Sequence, residues 1–481
     1  MNYSIIFYIM GWILNSEAAF MVMPCIVAIL YGETAAGWSF AASIAVCLII
    51  GVPLIIKKPK NQIYYAAEGF VTVSLCWIVL SMMGALPFLF SKAIANPVDA
   101  LFETVSGFTT TGASILSDVE VLPKSLLFWR SFTHWIGGMG VLVFILSLLP
   151  LTGGSHMNLM KAESPGPSVS RLVPKVKMTA KLLYQIYIGM TLLQAVILLA
   201  SGMEPFDAIT ITFGTAGTGG FAVLNSSLGS YTAFQQNVVT VFMILFGINF
   251  NFYFLILIRK LGQAIRMEEV RCYLLIIAAA IGIITLDTMH MYQNAGEAMH
   301  HAAFQVASII TTTGYATADF NLWPQASRTV LVLLMFIGAC AGSTGGGIKV
   351  SRLVILIKAV KKELKLMLHP QAISKVKMDG KVVEHEVMRS INVFIITYVL
   401  LFVLSVLLIT VDEQDLITNF TAVAATFNNI GPGLEMVGPT ANFSFFSNFS
   451  KLVLIFDMLA GRLEIFPLLV LFTRDTWRRF R

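Results

Sequence analysis

The sequence predicts an all-α integral membrane protein. Four pseudo-symmetric repeats of span, half-helix, loop and span surround a central pore, and two extra transmembrane helices stand in front. Three observations carry this. Of the 481 residues, 57% are hydrophobic and 12% charged, with a mean hydropathy of +0.80. A soluble domain carries about 25% charged residues, and a soluble globule of this size could not hide so much apolar surface. Apolar runs of bilayer length recur along the whole chain. Between them lie four shorter apolar segments, each ending in a glycine-containing turn. A soluble enzyme, a nucleic-acid binder and a disordered scaffold are excluded together, so the net charge of +6 does not imply nucleic acid.

About 20 apolar residues cross a hydrocarbon core about 30 Å thick. Such runs fall near 5–30, 36–56, 68–90, 125–152, 181–202, 235–258, 271–290, 328–357, 390–411 and 449–473. The first lacks a charged leader and a small-residue cleavage site, so it reads as a retained helix. Lys57, Lys58 and Lys60 follow the second run and mark a cytoplasmic loop. Alternation then places every lysine and arginine on the cytoplasmic side except Lys92, Lys124, Arg130, Arg328 and Lys451, expected outside, and Arg462, within a span. Both termini are expected in the cytoplasm.

The short segments are Pro97–Gly112, Pro205–Gly219, Ala298–Gly314 and Asp415–Gly431. A 14-residue helix covers about 21 Å, enough to enter a bilayer but not to cross it. Each segment follows one span and precedes another, which divides the chain into two leading helices (1–60) and repeats over 61–175, 176–265, 266–385 and 386–481. Non-helical backbone at membrane depth is tolerated only inside protein or along an aqueous path. Four such loops suggest a ring whose carbonyls replace the water shell of an alkali cation. Each half-helix would aim its negative C-terminal end inward, while Asp99, Asp207, Glu297 and Asp415 complement the opposite end.

Two later features carry further chemistry. Gly338–Gly347 (GACAGSTGGG) interrupts an apolar run with residues too small to hold a stable helix. It is no phosphate-binding loop, because Ile348 separates Gly347 from Lys349. Arg462 lies mid-span, where an arginine costs about 2.5–3.5 kcal/mol even on insertion scales. It should face a water path or pair with Asp457 or Glu464. Other signals are weaker. Cys25, Cys47, Cys76, Cys272 and Cys340 are scattered without a CxxC pair and read as buried thiols. His300 and His301 are adjacent and lack metal-ligand spacing, and His134 reads as an interfacial or packing histidine. No catalytic set is present at usable spacing, so no enzyme is expected.

These residues resemble the Trk/Ktr/HKT cation transporters, and the two leading spans favour the bacterial TrkH branch. The resemblance covers essentially the whole chain, including RSFTHWIGGMGVLVF (130–144), MKAESPGP (160–167), GSTGGGIKVSR (342–352) and AGRLEIFPL (460–468). It implies K+ uptake across a bacterial inner membrane, with K+ (Na+ competing) as the only ligand and no organic cofactor. The filter glycines would be Gly112, Gly219, Gly314 and Gly431. Carbonyls of Thr110 and Thr111, Gly217 and Thr218, Thr312 and Thr313, and Asn429 and Ile430 would hold the ion. The fourth loop, NNIGPG, departs from the TTTG form. The resemblance further implies that the 338–347 run, with Gly345, Gly346, Gly347 and Lys349, gates the pore, and that Arg462 sits at its constriction. It implies a homodimer and a cytosolic nucleotide-binding partner of the TrkA type. The rival reading is an H+- or Na+-coupled symporter working by alternating access, which broken helices also fit. One filter loop in each repeat favours a fixed axial pore.

Overall fold

A computed structural model describes residues 2–59, 66–138, 140, 176–372 and 374–477. Apart from one hairpin pairing Lys377–Met378 with Lys381–Val382, its regular structure is helical. Among the described residues, six helical stretches are long and apolar enough to cross a bilayer: Tyr3–Leu30, Thr34–Ile56, Glu68–Phe90, Lys181–Ala200, Glu268–Thr288 and His385–Asp412. The exterior carries large bare apolar side chains such as Ile49, Leu275 and Leu407, whereas threonines and asparagines fill the centre. This inside-out arrangement belongs to a multi-pass membrane protein.

The first two helices form a tight hairpin. A Cβ at Gly11 would overlap Leu54 and Ile55, so backbone approach fixes the crossing. The hairpin turn then docks on a helix some 90 residues further on. Glu33 accepts from the amides of Lys124 (2.6 Å) and Ser125 (3.0 Å), capping the helix Lys124–Gly138. The same device recurs: Asp287 accepts from Ser327 N (3.0 Å) and Asp412 from Ser447 N (2.8 Å), each at the start of a later helix. Trp129 packs edge-on against Phe40 and Phe108, joining the hairpin to the first short helix.

Three expected spans are broken. The 235–258 run is two helices, Ala233–Phe246 and Phe250–Leu257, bent by 90°. Asn249 starts the second by accepting from Asn251 N. The 328–357 run stops at Ile337 and resumes at Val350, with Gly338 and Lys349 both at positive φ. The 449–473 run breaks after Arg462, where Glu464 and Ile465 take positive φ and Phe466–Val470 restarts with a proline in its first turn. The second of these breaks is the one the Gly338–Gly347 run predicts; hydropathy counts side chains and is blind to the other two. The run 125–152 is seen only as far as Gly138, and both its remainder and the 160–167 motif lie outside the described residues.

Candidate functional site: a ring of four turns

Four short helices enter the protein and stop at its centre: Pro97–Phe108, Pro205–Gly217, Ala295–Ile310 and Leu416–Phe427. The longest has 16 residues, about 24 Å. Three begin at side-chain caps, from Asn96, Asn294 and Asp415. Asp99, Asp207 and Glu297 lie in first turns, where the helix dipole favours them. Asp99 is also paired with Lys451 at 2.6 Å, and Asp207 accepts from the Tyr231 hydroxyl at 2.8 Å.

Each helix ends in one and the same turn. Thr110, Thr218, Thr312 and Asn429 have φ of 56°, 54°, 59° and 55°, left-handed values that non-glycine residues rarely adopt. The next amides, of Thr111, Gly219, Thr313 and Ile430, all donate at 2.8 Å to the carbonyl five residues back, on Ser106, Gly214, Ser308 and Ala425. The residues after those are Gly112, Gly220, Gly314 and Gly431, with φ of 79°, 82°, 85° and 102°. The second turn is therefore shifted by one residue from the sequence expectation. Gly220, rather than Gly219, is equivalent to Gly112, and the pair matching Thr110 and Thr111 is Thr218 and Gly219, leaving Gly217 inside the helix end. The other three turns keep their expected register, the NNIG turn included.

The four glycines close a ring. A Cβ on Gly112 would overlap the Gly219 carbonyl oxygen, one on Gly220 that of Thr313, one on Gly314 that of Ile430, and one on Gly431 that of Thr111. Each turn thus lies against the last carbonyl before the glycine of the next. All four glycines line one depression. Thr110, Thr111, Thr218, Thr312, Thr313, Asn429 and Ile430 are fully buried.

Side chains lock neighbouring turns together. His134 is a bridge rather than an interfacial residue: its Nε2 accepts from Phe221 N at 3.2 Å, so Nδ1–H donates to the Gly107 carbonyl at 2.7 Å. Tyr315 donates toward the Ile211 carbonyl at 3.2 Å. Asn429 donates to Thr111 Oγ1 and to the Met458 carbonyl, both at 2.9 Å. Arg130, expected outside, is buried and paired with Glu103 at 2.8 Å. Glu103 also accepts from Ser114 Oγ and Ile115 N (both near 3.0 Å), and Arg130 reaches the Ala222 carbonyl. Arg130→Met should destabilise the protein by about 3–5 kcal/mol, because Glu103 is left buried and unpaired. Arg130→Met with Glu103→Leu should recover part of that loss, as read from thermal unfolding in detergent.

The 338–349 loop lies against the third and fourth turns. Gly346 N donates to Thr312 Oγ1 at 2.6 Å, a Cβ on Gly345 would press on the Thr311 carbonyl, and one on Gly346 would overlap that of Asn428. Gly347 packs back on Gly338, and Lys349 donates its ammonium to the Gly345 carbonyl. Arg462 reaches the same level from another helix. It donates to the carbonyls of Gly137, Gly138 (3.0 Å) and Thr344 (3.1 Å) and contacts Thr110 Oγ1 at 3.4 Å. The carboxylates expected beside it take other partners: Glu464 pairs with Arg352, and Asp457 accepts from Ser405 at 2.6 Å. His300 bonds Gln236 and Asn237 while His301 bonds Thr317, so the two point apart.

Re-entrant helices, a closed ring of left-handed turns and an apolar exterior define a membrane transport protein with a built central site. The chain belongs to the TrkH family: the family model described as TrkH, cation transport protein, matches residues 36–478. It is 37% identical over 486 residues to the Trk system potassium uptake protein TrkH of Escherichia coli (strain K12), covering 99% of this chain and 100% of that protein. It is 33% identical over 490 residues to the protein of that name from Halomonas elongata, with both covered in full. Among solved structures, the crystal structure of the potassium transporter TrkH from Vibrio parahaemolyticus superposes with a TM-score of 0.88 at 35% identity, covering 99% of this chain and 100% of that one.

Proposed function

We propose that the protein takes up K+ across a bacterial inner membrane through a fixed pore whose selectivity filter is the ring of four turns. The observation that carries this is the ring closure, in which each glycine lies against the carbonyl preceding the next glycine. The naming of its relatives as potassium uptake proteins supports the ion's identity. A dehydrated alkali cation needs inward carbonyls at close range, and the ring offers those of Thr110, Thr111, Thr218, Gly219, Thr312, Thr313, Asn429 and Ile430. The left-handed threonines and asparagine each cost about 1 kcal/mol or more. Strain repeated at four equivalent places fits a site that needs that backbone shape. The dipoles of the four short helices add negative potential at the centre.

The four segments act as pore repeats over 61–175, 176–265, 266–385 and 386–481, behind the leading pair of helices, with both termini cytoplasmic. The 338–349 loop, with Gly345, Gly346, Gly347 and Lys349, is the gate beneath the filter, and Arg462 is a barrier at the same level. Membership of the TrkH family supports a homodimer that works with a cytosolic nucleotide-binding partner of the TrkA type.

Flux from the purified protein in liposomes tests this. K+ should pass in preference to Na+, and an imposed pH gradient alone should drive no K+ movement. Shortening the loop within 338–347 should raise basal K+ flux about tenfold or more and weaken dependence on the partner. A shortened loop with unchanged flux removes the gate, and uptake that tracks the pH gradient overturns the fixed pore.

A further inference from the structure

We infer that Glu269 is the latch of the gate, a positioning residue whose single carboxylate fastens the intramembrane loop and the helix behind it to the rest of the protein. The inference rests on the gate reading above. Glu269 lies in the first turn of Glu268–Thr288, yet it is buried. Its Oε1 accepts from Ala341 N at 2.6 Å and from Ser351 N at 3.1 Å. Its Oε2 accepts from Asn249 Nδ2 at 3.3 Å. Ala341 is inside the loop, Ser351 opens the helix Val350–Leu368 that leaves it, and Asn249 sits at the 90° break of the neighbouring segment. One side chain thus joins three elements, adding to the backbone bonds from Cys340 N to the Gly247 carbonyl, from Phe250 N to the Gly342 carbonyl and from Val350 N to the Ala339 carbonyl.

A charged acceptor suits this task. The Ser351 amide is a first-turn donor that no helical carbonyl reaches, and the Ala341 amide belongs to a buried loop. An ionised carboxylate can satisfy both at once, and bonds to it are about twice as strong as neutral ones. Arg352 and Arg462 lie within electrostatic reach of Lys349, with Glu269 and Glu464 as the counter-charges. The adjacent Glu268 pairs with Lys358 on Val350–Leu368, and Lys358 also donates to the Lys377 carbonyl of the hairpin at 2.8 Å. Any force that swings Val350–Leu368 away from the start of Glu268–Thr288 must therefore break the Lys358 pair and the Ser351 bond. Ser351 and Ala341 share one carboxylate oxygen, and Val350 N bonds the Ala339 carbonyl of the loop at 3.1 Å, so a displacement of the helix pulls directly on the loop. Release of the helix and release of the loop become one event, which is what a two-state gate driven from the cytosolic side requires.

The test uses the full chain in liposomes without any partner. Glu269→Gln keeps size and shape, and its carbonyl oxygen can still reach both backbone donors, but it loses the charge that strengthens those bonds and sets an amide donor against Asn249 Nδ2 in place of Oε2. Basal K+ flux should rise about tenfold, K+ over Na+ preference should stay unchanged, and hydrogen exchange at Ala341 and Ser351 should accelerate. A residue that merely stabilised the fold would lower folded yield without raising flux per folded molecule. If Glu269→Gln is not recovered folded, Asn249→Asp decides: it keeps the Asn251 cap, removes the donor to Oε2 and sets a second carboxylate beside the first, so basal flux should again rise. Unchanged flux in the recovered variant, while the shortened loop conducts freely, overturns the latch and leaves the gate standing. Unchanged flux in the shortened loop as well overturns both.

Discussion

Serine in place of Gly112 should lower the preference for K+ over Na+ at least about tenfold, equivalent to about 1.4 kcal/mol, with expression intact. The cause is geometric. At φ of 79° a side chain is strained, and its Cβ would occupy the space of the Gly219 carbonyl oxygen. That oxygen must turn away, so the ring loses the spacing that distinguishes the larger ion from the smaller. Gly220→Ser should act alike through the Thr313 carbonyl. Gly219→Ser meets the His134 ring instead, so its effect should fall on folded yield. Relative permeabilities in reconstituted flux read all three. An unchanged ratio for Gly112→Ser would take this turn out of the filter, and a selectivity loss confined to Gly219→Ser would restore the register expected from the sequence.

That register illustrates where sequence reading stops. The four short segments are legible because apolar runs too short to cross and ending in glycine can be counted. Their register is legible only where the turn offers one glycine. TTTG and NNIG each fix it, but Gly217, Gly219 and Gly220 flank Thr218 with three choices. Only the left-handed φ of Thr218 and the bond from Gly219 N to the Gly214 carbonyl decide among them. Two of the broken spans were hidden for a related reason. Gly247 with Asn249, and the Arg462–Glu464 stretch, are breakers that a hydropathy window averages away, whereas the small-residue run Gly338–Gly347 is long enough to be read as a break.

The supporting charges were hidden by distance along the chain. Arg130 looks like a residue at the end of a span until Glu103 is placed beside it, and Glu269 looks like one more carboxylate in a helix's first turn. Its partners in the loop and in the helix that follows stand 72 and 82 residues away. A sign was nevertheless available for Arg462, because a basic residue in an apolar run has few places to go. The partners it takes are carbonyls at the ends of broken helices, where unpaired acceptors accumulate.

Arg462→Ala should raise K+ flux severalfold per folded molecule. The guanidinium contacts Thr110 Oγ1 at 3.4 Å and so stands next to the ring, on the side where the loop lies. A fixed positive charge about 6 Å from a permeating cation opposes it by about 3 kcal/mol at an effective dielectric of 20, and water in the path reduces this. The same side chain ties the Thr344 carbonyl of the loop to those of Gly137 and Gly138. Alanine therefore removes a repulsion and a tether together, and both changes favour conduction. Lysine separates them. It keeps the charge, but a single ammonium cannot reproduce the planar fork that spans carbonyls on two elements. Arg462→Lys should then conduct more than the intact protein if the tether dominates, and match it if the charge dominates. Folded yield should hold in both variants, because Glu464 and Asp457 keep Arg352 and Ser405 as partners. Equal or lower flux per folded molecule in Arg462→Ala would show that the arginine serves conduction by holding the ring in shape, and the barrier role would fall.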